Sequence, residues 1–131
     1  MRSSKWLLGL VLCIGMPVAS ARAAVTEDTF LLRNTGDLVD LCSAAQSDPM
    51  YTAAVNFCHG FGLGVFRVLR EEDIAQPSRH MFCLPNPTPS RNQTVANFIQ
   101  WARADTGRLA LSPADGIATF LTQQFPCPRG R

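Results

Sequence analysis

Four cysteines fix more about this chain than any other residues. Cys42, Cys58, Cys83 and Cys127 are spaced 16, 25 and 44 residues apart, and a fifth, Cys13, lies inside an N-terminal leader. The leader has the expected parts of an export signal. Arg2 and Lys5 give a basic start, Trp6 to Val18 an apolar stretch, and Ala19-Ser20-Ala21-Arg22-Ala23-Ala24 a small-residue exit. The apolar stretch is shorter than the roughly 20 residues of a membrane span, so cleavage is expected after Ala23, with Ala21 the adjacent choice. Exported chains with an even cysteine count read as disulfide frameworks. A zinc site built on these thiols with His59 or His80 lacks the close C-x-x-C pairs of structural zinc modules. No metal and no cofactor is expected.

Losing the leader reverses the charge. The precursor has 12 basic and 10 acidic residues; Arg2, Lys5 and Arg22 leave with residues 1–23, so nine basic stand against ten acidic, a net charge of −1. All nine are arginine. The basicity of the precursor belongs to its targeting signal. That removes the main argument for nucleic acid or a stable membrane attachment as a partner. Residues 24–131 are the length of one domain with one modest core, centred on about 37–127.

Four segments have helical periodicity and a start signal. Asp37 precedes an apolar stripe of Leu38, Leu41, Cys42 and Ala45, and Asp40 follows near the positive end of the helix dipole. Asp48-Pro49 opens a second segment through Tyr51, Val55, Cys58, Phe61, Val65 and Val68, expected to fray into solvent at Glu71-Glu72-Asp73. Ser90 with Gln93 forms a capping box ahead of Val95, Phe98, Ile99 and Ala102. Ser112-Pro113 with Asp115 starts the last, ending at Phe125-Pro126-Cys127. No stretch alternates with period two. The expected fold is all-α, a small four-helix domain stapled by two disulfides.

The short link Asp105 to Leu111 makes the last two helices an antiparallel pair. That would bring Cys83 toward Cys127, and Cys42 toward Cys58 by the same reasoning. Cys58–Cys83 with Cys42–Cys127 is the competing pattern. Between the middle helices runs a proline-bearing loop with Pro77, Pro85, Pro87 and Pro89. Helix two also contains His59-Gly60-Phe61-Gly62-Leu63-Gly64, and each glycine costs about 1 kcal/mol against alanine in a helix. Gly60 and Gly64 share a face and are expected to pack closely inside the monomer, with packing across a dimer axis as the alternative.

Catalytic constellations are thin. A Cys–His nucleophile needs a free thiolate, which disulfide formation removes, and Asp37 with Asp40 reads as helix-start charge. The chain is not expected to be an enzyme.

Cys58-His59-Gly60-Phe61-Gly62-Leu63-Gly64-Val65, then Phe82-Cys83-Leu84-Pro85, then Asn92-Gln93 before Phe98 and Trp101, then Phe125-Pro126-Cys127 resemble the Rap/Tai family of small periplasmic immunity proteins. These proteins block type VI secreted peptidoglycan amidases. The resemblance spans about Leu38 to Cys127. It departs at Asp105-Thr106, where the family usually has His-Pro, at Val65-Phe66-Arg67, and in the proline-bearing loop. It implies a periplasmic protein that occupies an amidase cleft without turnover, often as a homodimer. The implied contact segments are the loop around Arg79, His80 and Asn86 and the link carrying Asp105, Thr106, Gly107 and Arg108. A small acid-stress chaperone, or an interaction protein of the same fold with another partner, is the alternative from a different class.

Overall fold

The computed structural model describes residues 24–76 and 78–128. The leader, including Cys13 and the cleavage site, and Pro77 lie outside the described residues. A short 3-10 helix, Glu27–Leu31, precedes five α-helices: α1 (Thr35–Cys42), α2 (Tyr51–Ala75), α3 (Arg91–Arg103), α4 (Thr106–Leu109) and α5 (Pro113–Gln124). No strand occurs among the described residues. The chain is all-α, as its periodicity requires. The link expected between the last two long helices winds into the single turn of α4.

Side chains that capture free amides set most of the helix starts. Asn34, extended at φ −152°, accepts from the Asp37 amide at 3.0 Å. Asp37 is therefore not the cap of α1. It sits three residues on, where its carboxylate accepts the Arg33 amide at 2.8 Å. Asp48 is likewise not the cap of α2. Its carboxylate accepts from the Met50 amide at 2.8 Å and, across the chain, from Val25 at 2.9 Å. It thus forms a turn that pins the N-terminal segment, and α2 begins two residues after Pro49. Ser90 caps α3 through the Gln93 amide at 3.2 Å, but Gln93 turns its own amide group to Asn97 at 3.0 Å, so only half the box forms. Ser112 caps α5, accepting from the Asp115 amide at 3.2 Å and donating to its carboxylate at 2.7 Å.

Helices α1 and α5 form the centre, with α2 and α3 each packed on both. The main core joins Leu38 and Val39 of α1, Phe98, Trp101 and Ala102 of α3, and Ile117, Phe120 and Leu121 of α5, with Phe82 inserted from the loop. Phe120 meets Phe98 edge-on at 5.5 Å and Trp101 at 5.7 Å, the arrangement that aromatic quadrupoles favour. A smaller cluster of Val25, Leu41, Ala54 and Cys58 ties α1 to α2. The Cys42–Cys58 disulfide closes beside it, and Cys83–Cys127 joins the proline-bearing loop to the segment after α5. Of the three pairings that four cysteines allow, this is the one the helix-hairpin geometry favours.

The glycines of α2 are a correction. A methyl group built at Gly60, Gly62 or Gly64 would meet nothing within 4 Å, so no close packing inside the monomer requires them. The close approach occurs at Gly116 instead, against the buried Thr35.

Candidate functional site

Two exposed segments and one cavity are the surfaces on which this fold can act. The first segment is the tip made by α4. Asp105 caps it by accepting from the Gly107 amide at 2.8 Å, and Asp105, Thr106 and Gly107 are all exposed. Arg108 does not join them in facing solvent. It lies over the Trp101 ring, 4.7 Å from the centroid, and donates to the Trp101 carbonyl at 2.7 Å. Trp101 is fixed in turn by its indole N–H on Gln123, at 2.8 Å. Arg108 therefore holds the tip to the core, and three residues are left to meet a partner.

The second segment is the proline-bearing loop, held at two points. Cys83 carries one disulfide and donates its amide to the Phe125 carbonyl at 2.7 Å. The other hold is Asp73, expected from sequence to be a solvated charge at a frayed end. The helix instead continues to Ala75, and Asp73 is 1% exposed. Its carboxylate accepts the Met81 amide at 2.6 Å, His80 Nδ1 at 3.0 Å and the Arg70 guanidinium at 3.4 Å. A carboxylate only accepts, so His80 Nδ1 carries the proton in this contact. Glu71 and Glu72 remain exposed. Of the loop residues implied as contacts, His80 is half committed to Asp73, while Arg79 and Asn86 are exposed. Asn86 precedes the cis peptide bond to Pro87.

The structure does not bring these segments together. The loop enters α3 at its first residue and α4 follows its last, so thirteen helical residues, about 20 Å, lie between the loop's junction with α3 and α4. One end of the molecule can enter a narrow cleft at a time.

The Asp73 carboxyl is held below the ordinary aspartate range, first by the Met81 amide, against the opposing effect of burial, and then by the His80 hydrogen bond and charge and by Arg70. Its folded value lies below its unfolded one. The stability it contributes is therefore complete above about pH 4 and is lost as pH falls through the folded value. Urea midpoints measured from pH 5 to pH 2 should decline for the wild type and decline less steeply for Asp73→Asn. Parallel slopes would show that other groups govern acid unfolding.

Asp40 is shifted the other way. Desolvation raises its carboxyl, Arg103 opposes the rise and Asp37 adds to it. It has no ion-pair partner among the described residues. No group of three His, Cys, Asp or Glu side chains that could hold a metal ion gathers among the described residues. His59 lines the cavity between α2 and α3 with Leu63, Phe66, Leu84, Arg91 and Val95. From sequence His59 reads as an exposed or groove-lining residue, and it does line this cavity, but the rest of the cavity was not read from sequence. The available signal was α2 itself, whose apolar residues occur all round the helix, more than one core-facing stripe needs.

Fold and surfaces define a class first: a small helical binding domain in which two disulfides and a buried carboxylate hold exposed segments rigid. Within that class, the chain belongs to the Rap1a immunity proteins, whose family model matches residues 34–127. The match begins at Asn34, the cap of α1, and ends at Cys127, the last disulfide residue. Searches of curated proteins and of solved structures gave no match. Membership makes this an immunity protein, one that acts by binding an effector protein.

Proposed function

We propose that the protein works in the periplasm as a non-catalytic inhibitor of a type VI secreted peptidoglycan amidase, with the α4 tip as the part that enters the enzyme's cleft. The observation that supports this reading is the rigidity of that tip. Asp105, Thr106 and Gly107 project from a single turn that is capped at its start and pinned at its end through Arg108 and Trp101. A pre-ordered tip loses little conformational entropy on binding, so more of the contact energy appears as affinity. Two disulfides and the leader are consistent with an exported chain that oxidises after transport.

The outer face of α2 is the proposed surface for a second copy. This helix is 25 residues long and holds an 18-residue stretch long and apolar enough by composition to cross a membrane, yet only 11% of that stretch is buried. Its disulfide to α1 and its packing on α5 make it the spine of the domain. Ala53, Gly60 and Gly64 lie along its outer side, with Val68 (58% exposed) beside them. Small residues on that side allow another backbone to approach closely.

The test uses one substitution in each of the two exposed segments. Thr106→Arg should weaken binding to the cognate amidase at least about 100-fold, as loss of a central contact does, and abolish protection of cells in which the amidase is directed to the periplasm. Its urea midpoint should match the wild type. Arg79→Glu, in the proline-bearing loop, should bind normally. The reverse pattern would make the proline-bearing loop the inhibitory segment, and failure of the wild type to bind any amidase encoded nearby would remove the amidase reading.

A further inference from the structure

Helices α2 and α3 lean on the same two neighbours and leave between them a cavity of about 260 Å³, partly open to solvent and bordered by Leu84 and Pro89 of the proline-bearing loop. Its floor reaches the core at Leu38, Phe98 and Phe120. The wall is apolar except for two threonines and two groups that can be cationic, His59 on α2 and Arg91 at the start of α3. No carboxylate lines it, and Arg91 has no ion-pair partner among the described residues. An apolar space with an unpaired arginine in its wall is complementary to one kind of molecule: an apolar chain that ends in a single negative charge.

We propose that this cavity is a binding site for a medium-chain aliphatic carboxylate. The chain fills the gap between Leu63, Phe66 and Val95, and the carboxylate pairs with Arg91, the guanidinium fork donating to both oxygens. Size limits the length. Because a 150 Å³ apolar cavity holds benzene, this one holds a chain of about ten carbons. That is a ligand site separate from the α4 tip, which stands at the far end of α3, so the site does not depend on the inhibitory reading.

Decanoate is the probe. Titration calorimetry on the exported, oxidised protein should show saturable binding of one decanoate per chain. Arg91→Ala should weaken it at least tenfold while Arg91→Lys, which keeps the charge, recovers most of the affinity. Arg91 is exposed and follows the Ser90 cap, so both variants should keep the wild-type far-ultraviolet spectrum. Leu63→Phe, which narrows the cavity, should weaken decanoate and leave the Arg91 head group in place. Decyltrimethylammonium, with the same chain and the opposite charge, should not bind. The proposal is overturned by non-saturating heats, by equal affinity for the cationic amphiphile, or by an Arg91→Ala protein that binds as the wild type does. Binding confined to phosphatidylglycerol vesicles, with none to decanoate, would also overturn it and mark the face as a lipid-surface contact.

Discussion

Replacing Cys83 and Cys127 together by alanine should lower the unfolding free energy by about 4 kcal/mol, a large share of what a domain of this size has. The disulfide closes a loop of 44 residues holding α3, α4 and α5. Opening it returns that loop's freedom to the unfolded chain, and the entropy released grows with the logarithm of loop length. Cys42–Cys58 closes only 16 residues, so its removal should cost about 3 kcal/mol by the same relation. Urea denaturation of the two double variants under oxidising conditions measures both. The order of the two losses carries the argument. Equal losses, or a loss under about 1 kcal/mol for Cys83 and Cys127, would mean that the loop is held chiefly by Phe82 in the core and by the Asp73 contacts. The same dependence has a cellular consequence. A domain that needs two disulfides is best suited to an oxidising compartment, which is where the proposed target acts.

Gly116→Ala should be the most damaging single methyl group that can be added. At this crossing of α5 over α1, the new carbon would overlap Thr35 Oγ1 and lie 3.0 Å from Thr35 Cγ2. Thr35 cannot rotate away without loss, because its hydroxyl lies 3.1 Å from both the Leu111 and Ser112 carbonyls, and its amide donates to Leu111 at 2.8 Å. The helices must separate or the hydrogen bonds must break, and overpacking of this kind costs about 3 kcal/mol. Gly60→Ala should behave oppositely, stabilising the monomer by about 0.5–1 kcal/mol, since alanine favours the helix and its methyl meets open space. If α2 is the face for a second copy, that more stable protein should also dissociate more readily in sedimentation. Thr35→Ala on the Gly116→Ala background should recover at least about 1 kcal/mol, because directly contacting sites couple. Two independent losses that simply add would place the cause elsewhere.

These glycines show where sequence reading stops. Gly60, Gly62 and Gly64 stand out in the sequence because three of them interrupt a helix, yet a Cβ at any of them meets nothing, Gly60 and Gly64 being exposed and Gly62 bordering the cavity. Gly116 stands alone between Asp115 and Ile117 and gives no local signal. Its partner, Thr35, is more than eighty positions away, and only the crossing of two helices brings them together. Asp73 teaches the same lesson for charge. In sequence it is the third acid of a cluster, and the helix dipole argues against all three. In the fold it alone turns inward, because the chain doubles back and presents the Met81 amide and His80 to it. An amide hydrogen bond within a returning loop outweighs the dipole.

What the sequence determined by itself was local or statistical. Helical periodicity, the Ser90 and Ser112 caps, the proline stops and an even set of four cysteines after the expected leader all act over a few residues, or through composition. They made the chain all-α and disulfide-stapled, and the ordered blocks from Cys58 to Cys127 pointed to the immunity family. Tertiary structure alone decided which pairs of distant groups share space. It set Cys42 against Cys58, drew Asp48 to Val25, buried Asp73 and pinned Arg108 on Trp101. It also opened a cavity between two helices that both pack on the same neighbours. The four cysteines, legible from the start, named the staples; only the path of the chain between them determined which surfaces they hold rigid.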